Sequence, residues 1–272
     1  MEARDVGHRA MAANLSDIAA MGARPVLATV VLGVAPGTTE AWILEAYRGM
    51  AGLGARHGAR IVGGDLVRAP ATTLSLTVVG EVARSRVKRR DGGRAGDVLA
   101  TTGPLGASRA GLELTLRPRD VDETARAAAL AAFATPMPRV REGRWLAASA
   151  NVHAMIDCSD GLSTDAGRLA SASGCGAELN DIPVAAAAAA VARAAGDDPG
   201  AYALDGGEDF ELLLAVAPRA FRHLGAAYRK HFGTPLLAVG RLTADPGLRL
   251  VVANESRELV AAGWDHFRRS SG

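Results

Sequence analysis

Between Met155 and Asp165 the chain reads Met-Ile-Asp-Cys-Ser-Asp-Gly-Leu-Ser-Thr-Asp, and the spacing of its acids could support chemistry. The apolar run Val152 to Ile156 predicts a short buried strand that ends at Asp157, with Asp160 three residues later. Ser159 is expected to cap the helix that Gly161-Leu162 opens. Carboxylates would then crowd at a strand end beside the positive end of a helix. Such a helix end alone would invite a phosphate. Two carboxylates at the same point would repel it unless a divalent cation sat between them. Hard oxygen ligands at this spacing suit Mg²⁺, which takes one or two carboxylates and completes its shell with water and substrate phosphate. On this stretch alone the commoner reading stays open too, that Asp157 and Asp160 are capping and turn residues, as Asp-Gly pairs usually are.

Other acids sit in comparable places. Asp5 to Met21 reads as a nearly all-small, buried helix stopped by Gly22 and Pro25, interrupted one turn apart by Asn14 and Asp17. A buried Asp17 would need a cation or a backbone group to satisfy it. Val26 to Val34 predicts a strand, and Thr38 or Thr39 caps a helix through His57. A short strand over 59–62 then ends in Gly63-Gly64-Asp65. Further strands are expected over 72–82 and 98–102, with Arg90 beside Asp91-Gly92 in a basic patch between them. That patch is a solvated loop or a bidentate grip on a phosphate. Helices from Ala107 and over 123–134 precede Pro136-Met-Pro-Arg139, a stiff break expected to divide the chain into domains 1–135 and 136–272. A second Gly-Gly-acid element, Gly206-Gly-Glu208-Asp-Phe-Glu211, runs into a strand over 212–216. The irregular alternation fits a mixed α/β or α+β architecture.

The composition narrows the function classes. A chain of 272 residues with 49% hydrophobic residues and a formal charge of +2 has ample core and no dense basic block, so nucleic acid is not an expected partner. Two cysteines, Cys158 and Cys175, argue against a disulfide framework and for a reducing cytoplasm, with Cys158 a packing residue at the strand end. No apolar run is long enough to cross a bilayer and no signal-like opening is present, so no membrane partner is expected. Neither common nucleotide fingerprint occurs, and no spacing supports a Ser-His-Asp or zinc site. The residues alone lead to an α/β protein with several strand-end acids, suited to metal–phosphate chemistry.

Taken together and in order, seven segments carry a resemblance: Asn14-Leu-Ser-Asp-Ile-Ala-Ala-Met-Gly-Ala23, Gly63-Gly-Asp65, Arg90 to Asp97, Pro136 to Arg139, Ile156 to Leu162, Gly206 to Leu212 and Gly263-Trp-Asp-His-Phe267. The chain resembles the thiamine-monophosphate kinases of the aminoimidazole-ribonucleotide-synthetase-like superfamily, over essentially its whole length. The resemblance implies two α/β domains with mixed sheets flanked by helices, a homodimer formed through N-terminal sheets, and ATP with several Mg²⁺ ions between domains. It implies transfer of the γ-phosphoryl group of ATP to thiamine monophosphate. By match, Asp17, Asp65, Asp157 and Asp160 look like Mg²⁺ ligands. Gly64, Asp65, Arg90 and Ser159 look like ATP contacts, with His57 toward the adenine side. Glu208 looks like a thiamine contact and Trp264 like a ring that could stack on the substrate.

Members of that family carry, ahead of the segment that begins here, a Gly-Asp-Asp-Ala motif and a Ser-Thr-Asp segment ending in Val-Glu-Gly-Val-His-Phe. Their absence is expected to mean that Met1 is an internal methionine of a longer protein, or else that this is a truncation that binds nucleotide poorly and turns over little. Two alternatives accompany the kinase reading: a non-catalytic nucleotide-binding remnant, or another ATP-using member of the superfamily.

Overall fold

In the computed structural model, residues 1–253 and 255–263 are described. The elements in chain order are α1 (Ala3–Ala20), β1 (Arg24–Val34), α2 (Glu40–His57), β2 (Arg60–Arg68), β3 (Thr73–Glu81), β4 (Val98–Thr101), α3 (Ala107–Leu116), α4 (Glu123–Ala134) and α5 (Val140–Ala147). They continue with β5 (Val152–Asp157), α6 (Leu162–Ala172), β6 (Gly176–Leu179), α7 (Ala186–Ala195), α8 (Pro199–Asp205), β7 (Leu212–Val216), α9 (Pro218–Phe232), β8 (Leu237–Thr243), β9 (Leu248–Val252) and β10 (Glu255–Glu258).

These elements form two compact units, Met1–Lys88 with Ala134–Ala150, and Arg89–Phe133 with Asn151–Gly272. The division differs from the expected break near Pro136, and packing explains why. Ala110 and Leu114 of α3 and Ala129 of α4 share a small core with Ala187, Ala188, Val191 and Ala192 of α7 and Tyr202 of α8. That holds residues 89–133 to the second unit. Helix α5 returns to the first unit, where a Cβ at Gly143 would lie 2.2 Å from the Ala19 carbonyl oxygen of α1.

In the first unit, β2-β1-β3 form a sheet with β1 parallel to β2 and antiparallel to β3. The small residues of α1 are there for contact: a Cβ at Gly7 would stand 1.8 Å from Ala46 O of α2, and one at Gly49 of α2 would stand 1.9 Å from Arg4 O. The two helix backbones therefore touch, which Ala or Leu at those points would forbid. Helix α2 starts at Thr39, whose Oγ1 accepts from Trp42 N–H at 3.2 Å, and stops at Gly58 with φ 86°. The sheet leaves Val31, Val62, Leu66, Val67 and Val79 exposed.

The second unit is built on a mixed seven-stranded sheet in the order β10-β9-β6-β8-β4-β7-β5, with β6 and β9 parallel and the other pairs antiparallel. Strand β7, between β4 and β5, is buried throughout, and its Leu213 and Ala215 belong to the main core. Helix α6 sets Leu162, Ala166, Leu169 and Ala170 into a core that also holds Leu99, Cys158, Leu213 and Val239. Among the described residues, no helix is long and apolar enough to cross a membrane.

Candidate active site

The acidic stretch lies where β5 ends and its antiparallel neighbour β7 begins. Asp157 is the last residue of β5, pairs with Leu212 of β7 and is 4% exposed. Beyond that pair the ladder continues irregularly: Cys158 N–H donates to Glu211 O at 2.7 Å, Phe210 N–H to Cys158 O at 3.0 Å, and Glu208 N–H to Ser159 O at 2.8 Å. The two acidic segments recognised in the sequence are thus laid side by side through backbone bonds.

The Gly207–Phe210 backbone is unusual. Glu208 and Phe210 have φ of 57° and 51°, and Gly207 has 68°. Left-handed geometry at two non-glycine residues this close costs about 1–3 kcal/mol each, and such strain concentrates where a side chain must be aimed. What holds it is a set of buried polar contacts. Asp209 Oδ2 accepts Gly106 N–H at 2.7 Å and Oδ1 accepts Ser108 N–H at 3.2 Å, so this carboxylate caps the start of α3 from across the unit. Glu211 is 4% exposed and accepts Thr102 Oγ1–H at 2.5 Å, while the same oxygen of Thr102 accepts Leu212 N–H at 2.8 Å. Burial pushes Asp209 up to about 7, against the pull of the helix N–H groups and with help from Glu211.

The turn after β5 is closed differently from the expectation. Ser159 does not cap α6: the N-cap is Gly161, with φ 105° and no side-chain cap. The reason is Asp165, in the first turn of α6 and 0% exposed. Its Oδ2 accepts both Ser159 N–H, at 3.1 Å, and Asp160 N–H, at 3.0 Å. Its Oδ1 accepts Arg168 Nη1–H at 3.1 Å, and the same nitrogen also donates to Asp160 Oδ2. Burial pushes Asp165 up to about 7, with Asp157 and Asp160 adding to the rise and the Asp160 N–H and Arg168 opposing it. Three carboxylates therefore sense one another around this turn. Burial, and after it the charges of Asp165, Asp157, Asp209 and Glu211, hold the Cys158 thiol well above the usual range, in keeping with a packing role.

The donor set suits a hard cation without forming a cage. Among the described residues, no three His, Cys, Asp or Glu side chains converge on a metal-sized point. A Mg²⁺ ion that completes its shell with phosphate and water needs only one or two carboxylates, so Asp157 and Asp160 fit it in type and number. Asp165 does not, since both of its oxygens are engaged within the protein.

The remaining sequence-derived residues are placed as follows. Asp17 is exposed on α1, not buried as its pattern suggested, because the packed stripe runs through Gly7, Met11, Ala12, Leu15, Ser16, Ala19 and Ala20. Gly63-Gly64-Asp65 do not follow a strand: they are inside β2, with Gly64 opposite Val30 and Asp65 opposite Val31. Gly64 is required there, since a Cβ would lie 1.8 Å from Val30 O and its φ is +152°. The exposed Asp65 uses Oδ1 to accept Leu66 N–H at 2.8 Å. Arg90 has an exposed side chain, and its carbonyl accepts Ser173 Oγ–H at 2.9 Å. It is Arg89, not Arg90, that pairs with Asp91, at 2.5 Å. His57 ends α2 half-buried, with Nε2 lacking a hydrogen-bond partner, and burial with Arg56 and His8 nearby lowers its pKa. Asp17, Gly64, Asp65 and His57 are in the first unit, while Arg90, Asp157, Ser159, Asp160 and Glu208 are in the second. Trp264 lies outside the described residues. Sequence reasoning missed Asp165 and Asp209 as structural carboxylates. An acid four or five residues beyond a strand-end turn, inside the first helical turn, was the available signal for Asp165.

Comparison with known proteins identifies the family and the fold. Residues 1–82 match the family model described as AIR synthase related protein, N-terminal domain, and residues 94–253 match its C-terminal domain. Thiamine-monophosphate kinase of Escherichia coli K12 is 35% identical over 266 residues, which is 97% of this chain and 80% of that protein. The crystal structure of thiamine-monophosphate kinase from Stenotrophomonas maltophilia K279a superposes with a TM-score of 0.83 at 32% identity, covering 92% of this chain and 79% of that one. AaThiL complexed with AMPPCP and TMP superposes with a TM-score of 0.86 at 28% identity, covering 98% and 82%. With this identity sustained along both domains, the chain belongs to the thiamine-monophosphate kinase family, on an AIR synthase-related fold.

Proposed function

We propose that this chain transfers the γ-phosphoryl group of ATP to the phosphate of thiamine monophosphate, giving thiamine diphosphate and ADP. The observation that carries the reading is the pairing of the Asp157–Asp160 turn with the strained Glu208 segment at the ends of β5 and β7. Relatives named thiamine-monophosphate kinase, one solved with an ATP analogue and TMP, support the choice of co-substrate and acceptor.

The acceptor phosphate is already ionised, so no side chain need remove a proton. The protein's task is to hold anionic groups in line and offset their charge. Asp157 and Asp160 in the second unit, and Asp17 and Asp65 in the first, are the proposed holders of Mg²⁺, which when bound supplies charge neutralisation between phosphates. Gly64 with Asp65, Arg90, Ser159 and His57 are the proposed ATP contacts. Exposed Arg90 offers a guanidinium fork to phosphate, and Gly64 lets backbone come close. Glu208 is the proposed thiamine contact: a fixed carboxylate complements the positive thiazolium ring, and its left-handed backbone fixes where it points. Trp264 is proposed as a stacking ring. The exposed Val31, Val62, Leu66, Val67 and Val79 support a homodimer through the first unit's sheet, and the absence of a membrane-crossing helix among the described residues is compatible with a cytoplasmic enzyme.

The test is acceptor dependence. ADP release should require thiamine monophosphate, with thiamine itself a poor substitute. ADP released equally without an acceptor would refute the assignment.

A further inference from the structure

Arg168 belongs to none of the roles above, yet it touches the more exposed of the two proposed metal-holding acids at the β5 turn. Its guanidinium bridges Asp160 Oδ2 and Asp165 Oδ1 from one turn along α6. The two partners differ. Asp165 is anchored, 0% exposed and fully used by backbone N–H groups and Arg168. Asp160 has a side chain 25% exposed, and that of Arg168 is 44% exposed, so the Asp160 end of the bridge faces water. An anchored acid on one side and an exposed one on the other make a bridge that can open at its outer end, with Arg168 still held by Asp165.

We propose that Arg168 is a competing counter-ion for Asp160: a divalent cation takes this carboxylate only by loosening the Arg168 bridge. The inference rests on the metal reading of Asp157 and Asp160 given above. Two positive groups on one carboxylate repel each other at short range, so the binding of one weakens the other. The two states differ in where the guanidinium goes. Bridged, it offsets the crowding of Asp157, Asp160 and Asp165. Released, it stays beside the site as an unsatisfied fork suited to a phosphate oxygen. Arg168 would thereby keep the acids from opening the turn by mutual repulsion before the cation arrives.

Binding of Mn²⁺ to the full chain, followed by the electron paramagnetic resonance of the free ion, tests this with Mn²⁺ itself as the probe. Arg168→Met should bind Mn²⁺ about threefold to tenfold more tightly than the wild type, the range for losing a partly exposed, charge-assisted ion pair at Asp160. Arg168→Lys, which keeps the charge and loses the fork, should fall between them. In an Asp160→Asn background the Arg168→Met substitution should have no effect. Thermal unfolding supplies the second readout: Arg168→Met should melt lower than the wild type without Mn²⁺, and the gap should narrow as Mn²⁺ saturates. If Arg168 merely shapes the turn, Arg168→Met binds Mn²⁺ more weakly, and equal or weaker binding overturns the proposal. If the wild type shows no Mn²⁺ binding that Asp160→Asn removes, the metal reading itself falls and the counter-ion role with it.

Discussion

Asp209 offers the sharpest prediction about how the Glu208 segment is held. Replacing it with alanine strips the acceptors from Gly106 N–H and Ser108 N–H at the start of α3, now met at 2.7 and 3.2 Å. These two half-buried bonds are the helix cap itself, and losing each costs about 1–2 kcal/mol, so roughly 2–4 kcal/mol is expected in sum. For a chain of this size that is a fall in melting temperature of roughly 5–15 °C. Asp209→Asn keeps an acceptor oxygen and removes the charge, and it isolates the pH term. The folded-state pKa of Asp209 is raised from 3.8 to about 7, so the folded protein holds the proton longer than the unfolded chain does. A raised carboxylate contributes stability that is whole below about pH 4 and is lost as pH rises through about 7. The wild type should therefore lose stability relative to Asp209→Asn across that window, by at most roughly 4 kcal/mol. Asp165 is raised to a similar value, but it is common to both proteins and cancels in the comparison. Melting curves of the two proteins between pH 4 and 8 decide the matter. Parallel profiles, or an Asp209→Ala protein that melts within about 2 °C of the wild type, would refute the capping argument.

Asp157→Asn and Asp160→Asn should each lower thiamine diphosphate formation by about 10²–10³-fold; Asp157→Asn should hold or raise the melting temperature as a like charge is removed, and Asp160→Asn, which also gives up the Arg168 ion pair, should stay within about 4 °C of the wild type. A circular dichroism melt run beside the activity assay separates that outcome from misfolding. Gly64→Ala should destabilise the first unit's sheet by about 3 kcal/mol or more, because the new Cβ meets Val30 O and the backbone sits at φ +152°; an unchanged urea midpoint would contradict this. Val31→Arg places a charge on the exposed side of the central strand of that sheet, and sedimentation should show a smaller particle than the wild type if the homodimer forms there.

Much of this architecture was legible in the residues. The Val152–Ile156 run, the alternation over 73–81, and the α2 limits at a Thr38 or Thr39 cap and His57 are local patterns, and local geometry follows them. Motif order identified the family because seven short segments in register constrain a chain far more than one does. What stayed hidden depends on partners distant in sequence. Asp209 caps a helix 101–103 residues away, and Glu211 finds Thr102 across 109. Asp17 was expected to be buried because α1 is rich in small residues all round, so its packed stripe cannot be told from its outer face by composition. The compact units divide elsewhere than at Pro136-Met-Pro-Arg139 for a similar reason: that segment follows the end of a helix, but the packing of α3 and α4 against α7 and α8 decides which unit they join.

Phosphoryl transfer to a phosphate acceptor can be followed directly with γ-labelled ATP. Incubated with this chain, Mg²⁺ and thiamine monophosphate, the label should appear in thiamine diphosphate in step with ADP, vanish with a chelator, and be almost lost in Asp160→Asn. Label released as inorganic phosphate, or retained in ATP that binds without transfer, would contradict the account and point to another ATP-using chemistry or a nucleotide-binding protein that does not turn over.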